Sequence, residues 1–381
     1  MCNNIAMEKI GVFGGTFNPV HKEHVTIAKI AIETLSLDKL IIMPTFMPPH
    51  KNGIPAPVQD RIKMLELAFS GVDGVEISDM EAKRQGKSYT YQTLECIAQK
   101  ETGAKLFFIV GADMLVDFKT WRNPDRILSL ATLCCFGREK FSVDYQKERE
   151  YFQKTFGKEF VILPYDGGAD CSTAIRIYAS LGIPLTDMVS EDVEKYIKEK
   201  ALYSGGKIEE FLKESLTKKR LLHTARVTVC ALRRAKEFGV DEKKITTACL
   251  IHDCAKYLSY KSFSDFTLPD GVPEPVIHAF LGAFVAETVL GVDDEEILDA
   301  VRYHTSGKAN MSNLGKLLFV ADMVEDGRNY DGVEELRKAF ESKSLDECFK
   351  ACLKEEMIHL LNKGGEIFVE TKNAYDYYIG E

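Results

Sequence analysis

Along the first half of the chain, short apolar runs alternate with stretches whose apolar residues recur at helical spacing. Runs at 9–13, 39–44, 75–77, 106–110, 132–136 and 160–163 have the length and composition of buried strands. Between them, 25–35, 60–69, 91–100 and 125–129 read as amphipathic helices. This alternation predicts an α/β domain built on a doubly wound parallel sheet. Ligands of such sheets bind beyond the carboxyl ends of the strands, where Gly14, His50, Asp113 and Arg138 fall. From about residue 208 the strand signal stops. Helical patterns take over at 208–239, 241–258, 274–290, 294–304, 313–326, 333–342 and 345–361. The paired glycines Gly205 and Gly206 mark the seam. The reading is an α/β domain over 1–203, a linker over 204–207 and an all-α domain over 208–381.

Composition fits this division. The chain has 381 residues, 45% apolar and 28% charged, enough for two or three domains with real cores. Net charge is −9, split as −2 over residues 1–206 and −7 over 207–381. Neither part has the basic excess of a protein that wraps nucleic acid, whereas small phosphorylated ligands need only a few placed cations or metals. The richest apolar runs are strand-sized, so no membrane span is expected, and the start of the sequence lacks the pattern of a secretion signal. Ten cysteines without paired CxxC spacing predict a reducing cytoplasm. Self-association stays open.

Candidate chemistry begins directly after the first strand, in Gly14-Gly15-Thr16-Phe17-Asn18-Pro19-Val20-His21-Lys22-Glu23-His24. Two glycines let the backbone approach a ligand, and the helix start behind them offers N–H groups to phosphate. His21 and His24 can both face one ligand from the first helical turn. No Gly-Lys-Ser/Thr follows, so this is not a Walker loop.

The string resembles the T/HxGH motif of the nucleotidyltransferase superfamily, and its wider context is similar to bacterial nicotinate-mononucleotide adenylyltransferases. Pro48-Pro49-His50-Lys51, Asp60-Arg61, Ser88-Tyr89-Thr90 through Thr93-Leu94, Gly111-Ala112-Asp113 with Trp121, and Ser172-Thr173-Ala174-Ile175-Arg176 follow in that family's order. Glu23 stands where the family usually has Gly, and Cys171 where it often has Ser. The resemblance implies that a phosphate oxygen of nicotinate mononucleotide attacks the α-phosphorus of ATP. Pyrophosphate then leaves and deamido-NAD forms, with catalysis resting on alignment and charge neutralisation. It implies further that His21 and His24, with Gly14, Gly15, Thr16 and Phe17 around them, hold the ATP phosphates. Ser172, Thr173 and Arg176 would clasp the triphosphate, and Mg²⁺ would bridge the pyrophosphate. Lys51, Tyr89, Thr90, Asp113 and Trp121 would contact the nicotinate nucleotide, Trp121 by stacking on the pyridine ring. On sequence alone Trp121 is equally a core aromatic, and the preference for nicotinate over nicotinamide stays open.

In the second half, His223, His252, His278 and His304 fall at helical positions; Asp253 follows His252, and Asp322 closes the series. This H…HD…H…H…D order resembles the HD phosphohydrolase superfamily. Imidazole and carboxylate suit Fe, Mn, Co or Zn. Six ligands provide for two ions, which we assign as His223, His252 and Asp322 on one and His278 and His304 on the other, with Asp253 bridging. Two such ions, roughly 3.5–4 Å apart, clamp a phosphoryl oxygen during in-line attack. Lys256 is placed to neutralise substrate phosphate, or is an ordinary solvated lysine. His304-Thr305-Ser306-Gly307, Met311-Ser312 and Ala321-Asp322-Met323-Val324-Glu325 with Arg328 are similar to HD hydrolases that cleave diadenosine tetraphosphate symmetrically to two ADP. That resemblance favours iron. It makes Lys308 and Arg328 phosphate contacts and Glu325 an orienting partner of a metal ligand. The alternatives are a regulatory HD module that binds metal and nucleotide without turnover, or a hydrolase of another nucleotide.

Overall fold

Burial on both faces forces the central strands to be apolar along their length, and β1 (Lys9–Gly15) shows the consequence: residues 10–13 are all buried. Gly11 packs closely there: a Cβ would stand 2.5 Å from Leu37 Cδ1 and 2.7 Å from Leu40 Cδ1, so those leucine ends would have to move. The computed structural model describes residues 7–46, 55–84, 86, 89–137, 143–165, 167, 172–364 and 367–380, with the side chain of Asp113 excepted. After β1 come α1 (Lys22–Leu35), β2 (Lys39–Pro44), α2 (Val58–Ala68), β3 (Val75–Ile77), α3 (Met80–Arg84) and α4 (Thr90–Lys100). The first unit continues through β4 (Lys105–Gly111), α5 (Ala112–Asp117), α6 (Pro124–Leu130), β5 (Ala131–Phe136), α7 (Tyr145–Phe156) and β6 (Val161–Leu163).

All strand pairs are parallel and the order is β3-β2-β1-β4-β5-β6. Winding therefore reverses between β1 and β4, which puts Gly14-Gly15 and Gly111 at the switch point of the sheet. The α/β doubly wound expectation holds. Its core gathers Ile10, Val12, Ile41, Met43, Phe108, Val110, Phe118 and Phe152.

Two compact units divide the chain: 1–176 with 185–202, and 177–184 with 203–381. The last turn of α8 (Ser172–Ser180) goes with the second unit, because Ile177 and Leu181 bury with Leu212 and Leu216. α9 (Glu191–Glu199) returns to the first unit and packs on α2.

The second unit is helical. It comprises α10 (Lys207–Ser215), α11 (Lys218–Arg234), α12 (Glu242–Ile251), α13 (Glu274–Val285), α14 (Glu295–Arg302), α15 (Asn313–Val324), α16 (Val333–Ser342), α17 (Leu345–Lys363) and α18 (Val369–Tyr378). Two expectations need correction. The helix expected over 208–239 is broken at Leu216, which is extended, and Thr217 caps α11 by accepting the Arg220 N–H at 3.3 Å. His252 and His304 are not inside helices, since α12 ends at Ile251 and α14 at Arg302. No described helix is long and apolar enough to cross a membrane.

Candidate functional sites

At the end of β1 a buried arginine shapes the glycine loop. Arg61, 1% exposed on α2, donates Nε to the Ala56 carbonyl at 3.0 Å, Nη1 to the Thr16 carbonyl at 2.8 Å and Nη2 to the Phe46 carbonyl at 3.2 Å. Phe17 folds back with a φ of 46°, and its ring leaves only 3.0 Å for a Cβ on Gly15. Two groups on α8 complete the enclosure. Ser172 Oγ donates to the Pro19 carbonyl at 2.9 Å, and Arg176 donates Nη1 to the Asn18 carbonyl at 2.8 Å and Nη2 to Thr173 Oγ1 at 2.9 Å. The structure thus brings Gly14, Gly15, Thr16, Phe17, Ser172, Thr173 and Arg176 to one loop.

His21 is the N-cap of α1, and its backbone N–H donates to His24 Nδ1 at 3.2 Å. The two imidazole centroids are 3.7 Å apart, and Phe17 meets the His24 ring at 4.9 Å. Because Nδ1 of His24 accepts, neutral His24 carries its proton on Nε2, which becomes a donor. Glu23 is half-buried in the same turn.

Phe108 links this loop to a second group of residues. It lies 3.5 Å from where a Gly14 Cβ would be, and its ring centroid is 6.0 Å from that of Trp121. Trp121 is half-buried against Phe118 at 5.4 Å, so it is a core-edge aromatic with part of its ring accessible. Tyr89 lies beneath the Arg122 guanidinium at 4.8 Å, and Thr90 opens α4. Lys51, His50, Arg138 and Cys171 lie outside the described residues, as does the side chain of Asp113.

The second site centres on Asp253, which is 2% exposed and just past the end of α12. Its two oxygens face different partners. Oδ2 is 2.6 Å from Arg220 Nη1, 3.4 Å from His252 Nε2 and 3.8 Å from His223 Nε2. Oδ1 is 3.2 Å from His278 Nε2, 3.7 Å from Lys256 Nζ and 3.8 Å from His304 Nε2. Asp322 Oδ1 closes on His223 Nε2 at 3.0 Å. Ligand atoms of His223, His252 and Asp322 lie within 4.8 Å of one another, and so do those of His252, Asp253 and His304. The first group is the one expected. In the second, His252 and Asp253 accompany His304, while His278 Nε2 meets the Lys256 ammonium at 3.0 Å.

The position of two histidines just beyond helix ends sets their tautomers. His252 Nδ1 is 2.6 Å from the Cys249 carbonyl and His304 Nδ1 is 2.7 Å from the Val301 carbonyl. Last-turn carbonyls only accept, so Nδ1 carries the proton and the Nε2 lone pair turns to the centre. On α11, His223 places Nδ1 at 3.1 Å from Glu325 Oε1, to the same effect.

Electrostatics follow. Burial opposes protonation of His223, but the carboxylates of Asp322 and Glu325 on its two nitrogens outweigh it and raise its pKa. Burial, with the charges of His252 and His278, pushes His304 down to about 3. Burial would raise Asp253, yet the imidazoles of His252, His278 and His304 around it hold it well below the usual carboxylate range.

The donor set fits a divalent metal. His252 Nε2 is buried with no hydrogen-bond partner, and Asp253 Oδ1 satisfies no hydrogen-bond geometry even at 3.2 Å from His278. Buried lone pairs left this way cost free energy unless a cation takes them.

Three contributors had no role assigned from the sequence: Arg220 on Asp253, Thr305 Oγ1 at 3.1 Å from His304 Nε2, and Tyr257 beside Arg220. Arg328 holds Asp322 through both its carboxylate and its backbone carbonyl, and Lys308 pairs with Asp299 at 2.7 Å.

Comparison with known proteins parallels this division. A cytidylyltransferase-like family model matches residues 12–175 and an HD domain model matches residues 220–327. A Clostridium botulinum protein named "Probable nicotinate-nucleotide adenylyltransferase" is 40% identical over 201 residues, covering 52% of this chain and 98% of that protein. A Mycoplasma genitalium protein named "Probable nicotinate-nucleotide adenylyltransferase/Ap4A hydrolase" is 28% identical over 329 residues, covering 85% of this chain and 89% of its own. A Clostridium acetobutylicum crystal structure, described as a predicted HD superfamily hydrolase involved in NAD metabolism, is 34% identical with a TM-score of 0.41. The match covers 45% of this chain and 95% of that one.

Proposed function

Because the chain belongs to the nicotinate-nucleotide adenylyltransferase family and carries an HD domain behind that region, we propose that it is a cytoplasmic enzyme with two activities. The first unit transfers the adenylyl group of ATP to nicotinate mononucleotide, giving deamido-NAD and pyrophosphate. The second hydrolyses diadenosine tetraphosphate symmetrically to two ADP. The observation that carries this reading is that each unit assembles its own polar constellation: His21, His24 and Arg176 on the glycine loop in one, and the histidines around Asp253 in the other.

In adenylyl transfer a nucleotide phosphate oxygen bonds to the α-phosphorus of ATP as the bond to pyrophosphate breaks. His24 Nε2–H and His21 face the charge that develops on the phosphates, and Arg176 with Thr173 and Ser172 holds the triphosphate end. Mg²⁺ supplies charge neutralisation for the leaving pyrophosphate when bound. Lys51, Tyr89, Thr90, Asp113 and Trp121 receive the nicotinate nucleotide, with Trp121 offering its accessible ring edge.

In the second unit His223, His252 and Asp322 would hold one transition-metal ion, and His304 with His278 a second, with Asp253 shared. Iron is favoured over Mn, Co and Zn. The ions would polarise a phosphoryl oxygen and activate water. Arg220 fixes the Asp253 carboxylate, and Glu325 orients His223. Lys256 Nζ lies 3.7 Å from Asp253 Oδ1, where a substrate phosphate oxygen would arrive. Arg328 and Lys308 extend that cationic border.

The test is to incubate the metal-loaded chain with diadenosine tetraphosphate, and separately with ATP and nicotinate mononucleotide, and to separate the products by chromatography. Two ADP from the first mixture and deamido-NAD from the second are expected. ATP plus AMP, or bound metal without turnover, would overturn the second activity and leave a different hydrolase or a regulatory module.

A further inference from the structure

Tyr257 is 55% exposed, yet its ring is not loose. Its hydroxyl stands 3.4 Å from Thr217 Oγ1 at the cap of α11, with the Arg220 side chain beside it. Arg220 in turn holds Asp253 Oδ2 at 2.6 Å, and the preceding residue, Lys256, reaches Asp253 Oδ1 at 3.7 Å and His278 Nε2 at 3.0 Å. The polar edge of the ring is therefore tied into the group that surrounds Asp253, while more than half of the residue stays open to solvent. An aromatic ring already fixed at one edge can receive a planar partner with little further loss of rotamer freedom.

We propose that Tyr257 is the platform on which a nucleobase of the hydrolase substrate stacks while the phosphate chain lies against Asp253. This rests on reading the second unit as a nucleotide hydrolase. In a nucleotide a ribose separates base from phosphate, and here the Arg220 side chain lies beside the phenol and also on Asp253. Stacking is tolerant of base identity, so purine nucleotides of either kind fit the platform.

The probes are ADP and inorganic tripolyphosphate, titrated calorimetrically into the metal-loaded full chain, its Tyr257→Ala variant and its Tyr257→Phe variant. An Asp253→Ala chain run alongside subtracts nucleotide binding at the first unit. Tyr257→Ala weakens ADP on the order of tenfold, the scale of one lost base–aromatic stack, and leaves tripolyphosphate unchanged. Tyr257→Phe, which keeps the ring, restores most of the ADP affinity. Equal losses for both ligands would mean that Tyr257 acts through Arg220 on the phosphate side, and no loss for ADP would mean no stack; either result overturns the platform. Turnover of diadenosine tetraphosphate by the unaltered chain is measured beside these titrations. Absent turnover with the ADP effect intact sinks the hydrolase reading alone, and normal turnover with ADP affinity unaffected sinks the platform alone.

Discussion

Nδ1 of His24 accepts the backbone N–H of His21 at 3.2 Å, which leaves Nε2 as the protonated nitrogen of a neutral imidazole. A donor is thereby fixed at the start of α1. His24→Ala removes it. Deamido-NAD synthesis then falls on the order of a hundredfold, the scale of losing one transition-state donor. Diadenosine tetraphosphate hydrolysis is unchanged. Synthesis above about a tenth of the unaltered rate would remove His24 from the mechanism.

Asp253 faces His252 with one oxygen and His278 with the other, so its loss breaks both halves of the second site at once. Asp253→Ala loses bound transition metal and hydrolysis together while adenylyl transfer continues. Metal content measured on the purified variant decides the matter, and a content equal to that of the unaltered chain would refute the shared role.

Arg61 supports three carbonyls from inside the first unit, those of Ala56, Thr16 and Phe46. Arg61→Met leaves all three without that donor, and we expect a loss of about 3 kcal/mol in the stability of the first unit. Trp121 is the sole tryptophan and belongs to that unit, so its fluorescence during urea unfolding reads this change without interference from the second. An unchanged midpoint would show that the loop carries its own shape.

Much of this was legible in the sequence, for a physical reason. The central strands β2, β1, β4 and β5, buried on both faces, must be continuous apolar runs, and the six runs read from the pattern became the six strands of the sheet, the shorter and more exposed β3 and β6 at its edges. The helix over Tyr145–Phe156 escaped notice because only Phe152 is buried among its polar residues. The break at Leu216 escaped because apolar spacing runs on unchanged through it and only Thr217, a capping residue, marks the restart. In the second site the order of histidines and aspartates was visible, but the carbonyls of Cys249 and Val301 that orient two of them were not. Those depend on where a helix stops. Arg220 follows two lysines at the start of α11 and reads as a solvated charge, and only the fold shows it on Asp253.

Glu194 links acidity to the backing of the first site. Its Oε1 accepts from the Leu185 N–H at 3.2 Å and from Lys198 at 2.5 Å, and its Oε2 accepts from Thr186 Oγ1 at 3.2 Å. The segment so held supplies the Thr186 and Met188 carbonyls to Lys22, beside His21, at 2.8 and 2.9 Å. Burial opposes ionisation of Glu194, but these bonds outweigh it and lower its pKa below the ordinary 4.5. A carboxyl lowered on folding contributes stability that is fully present above its unfolded value and fades as pH falls through its folded one. Glu194→Gln therefore destabilises the first unit at neutral pH, and the gap to the unaltered chain closes as pH falls below 4.5, because the unaltered Glu194 is then protonated too. Urea midpoints from Trp121 fluorescence at neutral pH and in acid test this. A gap of constant size across that range would assign the effect to the shape of the amide and not to the charge it replaces.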